Sequence, residues 1–291
     1  MMSLVTGAGG YIGSALAAHL ANDGDEVLLH YLSRKPVTPG VAVQADFRRE
    51  ELESTLLDGV ETVYHCAGIA HQGAAAEDYQ RVNHRAALRL AEQAMAAGVR
   101  RFVFLSSVKA VAAATAYGRF RKNTEQQLRQ LAGRGMAVVC VRPALVYGPG
   151  VPGNLAVLIR AVRYGLPLPP ELGARSLVAR GDLLRLLRVM GSAELPDYSL
   201  YEVTDGECYS SRRLCLAIRQ ALHKSGRGWT APRASWRLAC SLADVFRAGD
   251  EPLYDKLFAE ECFSNQLVMD YFDWRPAYRF EDLAAQMVEG R

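Results

Sequence analysis

A tyrosine and an arginine one helical turn apart follow a strand that ends in two serines. Residues 101–107 read Arg-Phe-Val-Phe-Leu-Ser-Ser, and residues 117–122 read Tyr-Gly-Arg-Phe-Arg-Lys. Positions i and i+4 share one helical face, so we expect the cation of Arg121 beside the phenol of Tyr117. A nearby positive charge favours tyrosinate, and Ser107 can hydrogen-bond the same substrate oxygen. The pattern predicts general acid–base chemistry on an alcohol or ketone, although Tyr-x-x-x-Arg alone also fits an ordinary amphipathic helix.

A glycine-rich turn lies near the start of the chain. Residues 6–13 read Thr-Gly-Ala-Gly-Gly-Tyr-Ile-Gly, between a short apolar strand and a helix. The glycines permit a tight turn, close approach of a pyrophosphate and close packing of the helix on the sheet. The helix start directs its amides and its positive dipole end at the phosphates. The turn predicts dinucleotide binding, although glycine-rich turns also end strands without a ligand. The candidate cofactor residues here are Gly7, Gly10, Tyr11, Ile12 and Gly13.

The end of the second predicted strand bears on which dinucleotide binds. An acidic residue about 20 positions after the glycines is typical of NAD enzymes, because it binds the ribose hydroxyls. Here the acidic pair Asp25 and Glu26 precedes the strand, and the strand is followed by Ser33, Arg34 and Lys35. Hydroxyl and cationic groups suit a 2′-phosphate. The sequence therefore favours NADP and leaves NAD open.

Strand and helix patterns alternate in the first half of the chain, which predicts a Rossmann-type, doubly wound parallel sheet of the α/β class. We expect a dinucleotide-binding domain over residues 1–145, whose core strands can continue further, and a smaller α/β substrate-binding lobe over residues 146–291. Predicted strands cover 3–5, 27–32, 41–44, 62–66, 101–106, 137–142, 176–179 and 200–203. Predicted helices cover 11–21, 48–57, 78–97, 117–133, 154–165, 182–192, 210–223, 234–247 and 280–289.

Composition narrows the class of protein. The chain has 291 residues and a net charge of +3, from 34 basic and 31 acidic residues, which does not favour nucleic-acid binding. No apolar stretch is long enough to span a membrane, and the first strand begins too close to Met1 for a signal peptide. The six cysteines form no C-x-x-C pair and do not cluster with histidines. We therefore expect reduced thiols, no metal site and a cytoplasmic location.

Further motifs keep one order along nearly the whole chain. They include Ala45-Asp-Phe47, His65-Cys-Ala-Gly68, Val82-Asn83, Phe104-Leu-Ser-Ser-Val-Lys109, Arg142-Pro-Ala-Leu-Val-Tyr-Gly-Pro-Gly150, Gly153-Asn154, Arg175-Ser-Leu-Val178 and Asp273-Trp-Arg-Pro276. With the glycine turn and Tyr117, they make the chain resemble an extended short-chain dehydrogenase/reductase of the NAD-dependent epimerase/dehydratase family. The sequences Ser-Ser-Val-Lys109 and Val146-Tyr-Gly-Pro-Gly150 are similar to those of nucleotide-sugar 4-epimerases and 4-keto-sugar reductases.

The resemblance implies a role for each matching residue. Tyr117 is the expected acid–base group, with Ser107 as its partner and Arg121 at the position of the family lysine. The remaining expected cofactor contacts are Asp46 and Phe47 at the adenine, Ala67 and Gly68 beside the adenosine, Asn83 steadying the central strands, and Pro143 near the nicotinamide. The expected nucleotide-sugar contacts are His71, Asn154 and Arg175; His71 and Arg175 fit ordinary loop positions equally well.

Two departures from the family pattern concern the catalytic segment. The family's Tyr-x-x-x-Lys is Tyr-x-x-x-Arg here, and Lys122 comes one position later, about 140° around the helix from Tyr117. Arg121 keeps the positive charge, but its planar guanidinium is not equivalent to an ammonium group at the nicotinamide ribose. In addition, only residues 108–116 separate Ser107 from Tyr117, whereas relatives carry a longer polar loop.

Two functions follow as hypotheses. The first is an NAD(P)-dependent oxidoreductase that acts at C4 of a UDP-hexose-type substrate, as a 4-keto-sugar reductase or a 4-epimerase. NADP favours the reductase, since an epimerase regenerates its cofactor in each cycle. The second is a weakly active or inactive dinucleotide-binding sensor or assembly protein. By resemblance we also expect a homodimer, formed through helices 78–97 and 117–133.

Overall fold

The computed structural model describes residues 1–49, 52–70, 74–224, 228–245 and 251–289. Among these, the chain forms two compact units. The first comprises Met1–Ala70, Ala74–Arg142 and Leu184–Glu202, and the second comprises Pro143–Leu183 and Val203–Arg291. The chain thus returns to the first unit past the predicted boundary at residue 145.

Two β-sheets organise the described residues. The strands are β1 (Met2–Thr6), β2 (Glu26–Tyr31), β3 (Val41–Gln44), β4 (Thr62–His65), β5 (Arg101–Leu105), β6 (Ala137–Pro143), β7 (Leu145–Tyr147), β8 (Ala174–Ala179), β9 (Tyr198–Val203), β10 (Cys208–Tyr209) and β11 (Glu260–Glu261). The larger sheet has the order β3-β2-β1-β4-β5-β6-β9 and is parallel. This is the predicted Rossmann-type sheet, whose strand order reverses between β1 and β4.

The central strands of this sheet are buried because their sequences are nearly continuous apolar runs. Residues Val27–His30 of β2 and all four residues of β4 are buried. Strands covered by helices on both faces need such runs. On one face, Leu57, Leu90 and Phe102 belong to a single hydrophobic cluster.

Helices flank both units. They are α1 (Tyr11–Asn22), α2 (Ala76–Asp78), α3 (Ala86–Ala96), α4 (Lys109–Ala112), α5 (Ala116–Leu131), α6 (Gly153–Arg163), α7 (Arg180–Ser192), α8 (Ser211–Ala221), α9 (Arg233–Val245), α10 (Leu253–Phe258), α11 (Gln266–Phe272) and α12 (Phe280–Glu289). A π-helix over Tyr79–Arg85 joins α2 to α3. The predicted helices at 11–21, 117–133 and 280–289 match α1, α5 and α12 closely.

The helix predicted over 48–57 is wrong. In the described residues of this stretch, Asp46–Arg49 form a turn and only Ser54–Leu57 are helical, as one 3₁₀ turn. The Asp46 carboxylate accepts a hydrogen bond from the backbone N–H of Arg48, at 3.0 Å. This local bond favours a turn over a helix, because it offers the backbone an alternative partner.

The second unit contains the smaller sheet. Strand β8 is its centre: β7 pairs with its carboxyl half in parallel, β10 pairs antiparallel and β11 parallel with its amino half. A buried hydrogen-bond cluster ties this unit together, since the carboxylate of Asp205 accepts from Tyr147 at 3.0 Å and from Tyr209 at 2.8 Å. Burial raises the pKa of Asp205 to about 6.

One pair of cysteines contradicts the expectation of six reduced thiols. Cys208 and Cys262 form a disulfide, with their Cα atoms 6.0 Å apart. The sequence separation of 54 residues hides this pairing. Cys208 lies in β10 and Cys262 directly follows β11, and both strands pair with β8, which brings the two thiols together. Cys66, Cys140, Cys215 and Cys240 are free thiols.

Within the described ranges, none of the helices has the length and apolar character needed to cross a membrane.

Candidate active site

The glycine turn forms a cradle whose walls are backbone. Gly7 has φ +69°, and a Cβ atom there would lie 2.9 Å from the backbone of Ala67. A Cβ atom on Gly13 would overlap the carbonyl of Gly7. Helix α1 begins directly after Gly10, with no side-chain cap and no acidic residue in its first turn. No acidic group therefore competes with an anion at the first turn of α1, which is what a pyrophosphate needs.

These features fit a nicotinamide dinucleotide. Any side chain at position 7 or 13 would fill the cradle, and the absence of acidic groups at the start of α1 keeps its electrostatics suitable for phosphates. The cradle follows β1, next to the position where the strand order of the sheet reverses. Ligands of doubly wound sheets bind at this position. Residues of the turn are therefore the ones that would hold the pyrophosphate.

The buried side chain of His30 contacts the backbone of the glycine cradle. The backbone N–H of Gly7 donates to Nδ1 of His30 at 3.4 Å, and His30 Nε2 lies 3.0 Å from the carbonyl oxygen of Ala45. This pairing assigns the proton to Nε2, which donates to Ala45. The ring stacks on Phe47 with centroids 3.8 Å apart. Burial lowers the pKa of His30, so the neutral form is maintained.

A second buried histidine links β1 to the loop after β4. Thr6 Oγ1 accepts a hydrogen bond from the backbone N–H of Ala67 at 3.1 Å and lies 3.0 Å from Nδ1 of His65. Burial lowers the pKa of His65 to about 3, so the imidazole is neutral. Ala67, a predicted adenosine contact, is thereby fixed beside Gly7 by both a side-chain bond and backbone packing.

The predicted adenine residues have different environments. Asp46 accepts hydrogen bonds from the Arg48 side chain at 2.7 to 3.0 Å, and this contact lowers the pKa of Asp46 to about 2. The Phe47 ring is buried against His30. The Asp46 side chain thus already has a partner, whereas the Phe47 ring forms part of the floor under the cradle.

The predicted 2′-phosphate residues lie at the carboxyl end of β2. Ser33 and Arg34 are exposed to solvent. The Arg34 carbonyl lies so close to Gly9 that a Cβ atom at position 9 would overlap it. The chain at Arg34 therefore passes directly over the glycine turn, which places these polar residues next to the predicted cradle.

Helix α5 brings Tyr117 and Arg121 together. Thr115 caps the helix by accepting from the N–H of Gly118 at 3.1 Å. The guanidinium carbon of Arg121 lies 5.3 Å from the centroid of the Tyr117 ring and 5.3 Å from that of Phe104. The pair therefore has the proximity that helical periodicity predicts.

Arg121 is anchored to the sheet. It is 4% exposed, and its Nη1 donates to the carbonyl of Leu105 at 3.0 Å. Its Nη2 approaches Gly68, where it would contact a Cβ atom. The guanidinium thus occupies the space between the end of β5 and the loop after β4. A lysine ammonium has no planar fork with which to make the same set of contacts.

The two serines at the end of β5 have separate partners. Ser106 is buried and donates to Glu125 at 2.5 Å. Ser107 is half-buried, and its Oγ accepts from the N–H of Lys109 at 3.2 Å. The short segment that follows Ser107 folds as α4 and then turns at Ala113, with φ +52°. The Ser106 hydroxyl donates its proton to Glu125, whereas the Ser107 hydroxyl acts as an acceptor in its bond from Lys109, which suits a substrate contact.

Asn83 fixes the loop after β4. Its Oδ1 accepts from the N–H of Ile69 at 2.7 Å, and its Nδ2 donates to the carbonyl of Ile69 at 2.9 Å. Asn83 lies within the π-helix, a local irregularity often found at functional sites. It therefore steadies the loop that carries Ala67 and Gly68, which directly follows the central strand β4.

Three predicted residues belong to the second unit. Pro143 ends β6, and Asn154 is exposed in the first turn of α6. Arg175 lies in β8, between Tyr209 and Glu261 of the adjacent strands, and donates to the carbonyl of Lys256. Burial lowers the pKa of Arg175. His71 lies outside the described residues.

Sequence reasoning missed three polar groups of this region. His30 sits inside an apolar run, which made it look like a core residue. Glu125 lies one turn beyond Arg121 on the same helical face and pairs with Arg142 at 2.6 Å. A charged residue in register with Tyr117 and Arg121 was the available signal, because that face packs on the sheet.

The chain is similar in sequence to a family of enzymes and to individual bacterial proteins. The family described as "NAD dependent epimerase/dehydratase family" matches residues 3–184. The chain is 30% identical to a UDP-glucose 4-epimerase of Vibrio cholerae over 263 residues, which cover 80% of this chain and 79% of that protein. It is 32% identical to a ceramide reductase of Caulobacter vibrioides over 184 residues, 60% of this chain and 55% of that one.

A solved structure shares the fold over the whole length. MoeE5 in complex with UDP-glucose and NAD superimposes with a TM-score of 0.81 at 22% identity, covering 100% of this chain and 98% of that chain. The glycine cradle, the serines that end β5 and helix α5 all fall within the range that the family matches. The chain therefore belongs to the NAD-dependent epimerase/dehydratase family.

Proposed function

We propose that the protein is an NAD(P)-dependent oxidoreductase that acts at C4 of a UDP-hexose-type substrate. The observation that carries this proposal is the contact between Tyr117 and a buried guanidinium, 5.3 Å from the ring, on the helix that follows the Ser107 strand end. A phenol beside a fixed positive charge is suited to exchanging a proton with a sugar hydroxyl. The family supplies the substrate class, since a UDP-glucose 4-epimerase is among its relatives.

Each side chain has one part in this chemistry. A dinucleotide held by the glycine turn would supply hydride exchange at the substrate carbon. Tyr117 removes the C4 hydroxyl proton or returns it to the C4 oxygen. Ser107 donates a hydrogen bond to the same oxygen, and Arg121 stabilises the charge on Tyr117 during the transfer. The roles of Asn154 and Arg175 at the nucleotide part of the substrate stay predictions from the family resemblance.

The direction of the reaction follows from the cofactor. Arg34 and Ser33 are exposed directly above the glycine turn, which supports NADP through its 2′-phosphate. NADPH supplies net hydride, so NADP favours a 4-keto-sugar reductase. NAD held tightly through many cycles favours a 4-epimerase, the activity named for the Vibrio cholerae relative. We favour the reductase on the position of Arg34.

A pair of assays tests the proposal. Purified protein is given NADPH and a UDP-4-keto-hexose, and separately NAD and UDP-glucose. Loss of NADPH with formation of a UDP-hexose supports the reductase; conversion of UDP-glucose into UDP-galactose without net cofactor change supports the epimerase. Tyr117→Phe is the matched variant, expected to lose at least about 100-fold in kcat while dinucleotide affinity is kept. Equal turnover by this variant contradicts the assignment of Tyr117.

The second candidate is a dinucleotide-binding protein without turnover. It is favoured by the placement of Arg121, which is committed to Leu105 and packed against Gly68 instead of projecting as a lysine would. Binding of a dinucleotide with no turnover of either UDP-sugar, together with turnover gained by Arg121→Lys, supports this candidate. Activity in the wild type that Tyr117→Phe abolishes removes it.

The homodimer and the cytoplasmic location stay predictions. The exposed positions of α5 are polar, among them Asn123, Gln126 and Gln130. An interface through this helix would therefore be formed by hydrogen bonds more than by apolar burial. Light scattering on the purified protein measures the mass: a 64 kDa species supports the dimer, since one chain is 31.9 kDa and twice 31.9 is about 64.

A further inference from the structure

A buried ion pair lies directly behind the catalytic segment. Glu125 of α5 is 2% exposed. Its two oxygens accept from Arg142 in a bidentate pair, Nε to Oε1 at 2.9 Å and Nη2 to Oε2 at 2.6 Å. Oε1 also accepts from the hydroxyl of Ser106 at 2.5 Å. One carboxylate therefore joins α5 to both β5 and β6.

Each of these groups is next to a predicted active-site residue. Ser106 precedes Ser107, and Arg142 precedes Pro143. Glu125 lies two helical turns after Tyr117, in the row that also contains Arg121. The two strands are already in register, since the N–H of Ser106 donates to the carbonyl of Val141 at 2.7 Å. Side-chain bonds from Arg121 and Glu125 join helix α5 to the same end of the sheet.

We propose that Glu125 is a positioning residue, which through Arg142 and Ser106 sets the distance between the Tyr117 helix and the Ser107 strand end. This proposal rests on the proposed function. Arg121 fixes the same helix to Leu105 one turn earlier. Two consecutive turns of α5 are thus attached to consecutive residues, Leu105 at the end of β5 and Ser106 directly after it. A bidentate arginine–carboxylate pair restricts both translation and rotation, which a single hydrogen bond does not.

The geometry that Glu125 controls has a large effect on rate. A displacement of about 1 Å between reacting groups can cost about 100-fold in turnover. The cradle at residues 6–13 makes no contact with Glu125 among those described above, so dinucleotide binding is expected to be independent of it. A positioning role therefore lowers kcat and leaves the affinity for the dinucleotide and the KM for substrate nearly unchanged.

Three variants separate positioning from folding. Glu125→Gln keeps the shape of the side chain and removes its charge, leaving the mostly buried Arg142 without its bidentate carboxylate partner and with the longer contact to Glu202. The double variant Glu125→Gln with Arg142→Gln removes both charges. Glu202→Gln is the matched control, because Glu202 contacts the other side of the same guanidinium at 3.5 Å and is more exposed. Thermal midpoints, kcat, KM and dinucleotide Kd are measured for all of them.

We expect Glu125→Gln to lower kcat by about 10- to 100-fold with less than threefold changes in KM and Kd. In the double variant the thermal midpoint recovers, whereas kcat stays at least about tenfold low. Glu202→Gln keeps kcat within about twofold. Recovery of kcat together with the thermal midpoint, or equal losses in Glu125→Gln and Glu202→Gln, overturns the proposal.

Hydrogen exchange distinguishes this result from failure of the proposed function. If the wild type has no turnover, amide exchange of residues 105–107 and 116–120 is compared between the wild type and the double variant. Faster exchange confined to these segments supports positioning by Glu125. Unchanged exchange there overturns it, whether or not the protein is an enzyme.

Discussion

The glycine cradle and the segment from Ser107 to Glu125 differ in what forms them: backbone in the cradle and side chains in the segment. The cradle is built from backbone, and its key positions are those where a Cβ atom cannot fit, at Gly7 and Gly13. The catalytic segment is built from side chains: Arg121 bonded to Leu105, and Glu125 bonded to Arg142. The sequence departs from the family pattern in the second region, at Arg121 and in the short α4, and at the rim of the cradle, where Ser33 and Arg34 follow β2 in place of an acidic residue.

This difference indicates where the chain tolerates change. A backbone cradle depends on the absence of side chains, so nearly any substitution within it harms binding. A site held by side chains can accept a new residue if the new residue finds partners. Arg121 has done so, because it is buried, bonded to a carbonyl and packed on Phe104. We therefore expect the cradle to keep its ligand and the catalytic segment to have altered rates.

The largest expected effect comes from closing the cradle. Gly13→Ala places a methyl group against the carbonyl of Gly7, so either α1 or the turn must move. We expect dinucleotide affinity to fall at least about 100-fold, about 3 kcal/mol, as measured by isothermal titration calorimetry. Gly181→Ala is the matched control, because a Cβ atom there has nothing within 4 Å. Affinity in Gly13→Ala equal to that of the control contradicts a backbone cradle.

The next effect tests the side-chain region. Arg121→Met removes the cation beside Tyr117 and the bond to Leu105, so we expect kcat to fall by about 10- to 100-fold while dinucleotide affinity changes little. Lys122→Met is the control on the same helix, one residue away. It is expected to keep kcat within about twofold, because Lys122 lies about 140° from Tyr117. A larger loss in Lys122→Met than in Arg121→Met shows that the lysine supplies the charge.

The sheet could be predicted from sequence because local patterns determine it. Continuous apolar runs predicted β2, β4 and β5, and the glycine turn predicted the start of α1. The helix predicted at 48–57 failed because a side-chain bond from Asp46 to the Arg48 backbone stabilises a turn. Strands β10 and β11 have two residues each, too few to show a period, and they bring Cys208 to Cys262. Long-range pairing of this kind leaves no local signal.

In the candidate site, too, local contacts could be predicted from the sequence and long-range contacts could not. The proximity of Tyr117 and Arg121 follows from helical periodicity and could be predicted. The partners of their charged neighbours could not, because Glu125 meets Arg142 only after α5 packs on the sheet. The support of Gly7 by His30 was equally hidden, since these two residues are 23 positions apart in the sequence. Periodicity shows which residues share a face, and tertiary packing decides what that face contacts.

A smaller effect concerns the choice of cofactor at the rim of the cradle. Arg34→Ala removes an exposed guanidinium from the residue whose carbonyl lies over Gly9, so we expect NADPH affinity to fall about tenfold and NADH affinity to stay within about twofold. Fluorescence titration with both cofactors measures the ratio. Lys35→Ala, next along the chain and also exposed, is the comparison and is expected to change the ratio less. Equal losses for both cofactors in Arg34→Ala remove the basis for preferring NADP.

The smallest expected effect at neutral pH concerns His65, the buried histidine that ends the central strand β4. His65 has a pKa near 3 in the folded protein because it is buried, against about 6.5 when unfolded. The unfolded state therefore binds a proton first as the pH falls, and the stability that neutral His65 provides is complete above pH 6.5 and lost progressively below it. The loss is about 1.4 kcal/mol for each pH unit between 6.5 and 3.

Urea unfolding at pH 7.5 and pH 5.5 measures this dependence. The lowered pKa of His30 adds to the loss in the same direction, below its ordinary value of 6.5. The pKa of His84 is also lowered by burial, and His65→Phe removes only the His65 titration, so we expect its free energy of unfolding to fall about 1.4 kcal/mol less than that of the wild type over this range. Equal falls in both proteins mean that protons reach His65 in the folded state. Solvent would then reach the buried groups beneath the glycine cradle, where Thr6 bonds His65 and Ala67. The cradle would be less rigid than this packing indicates.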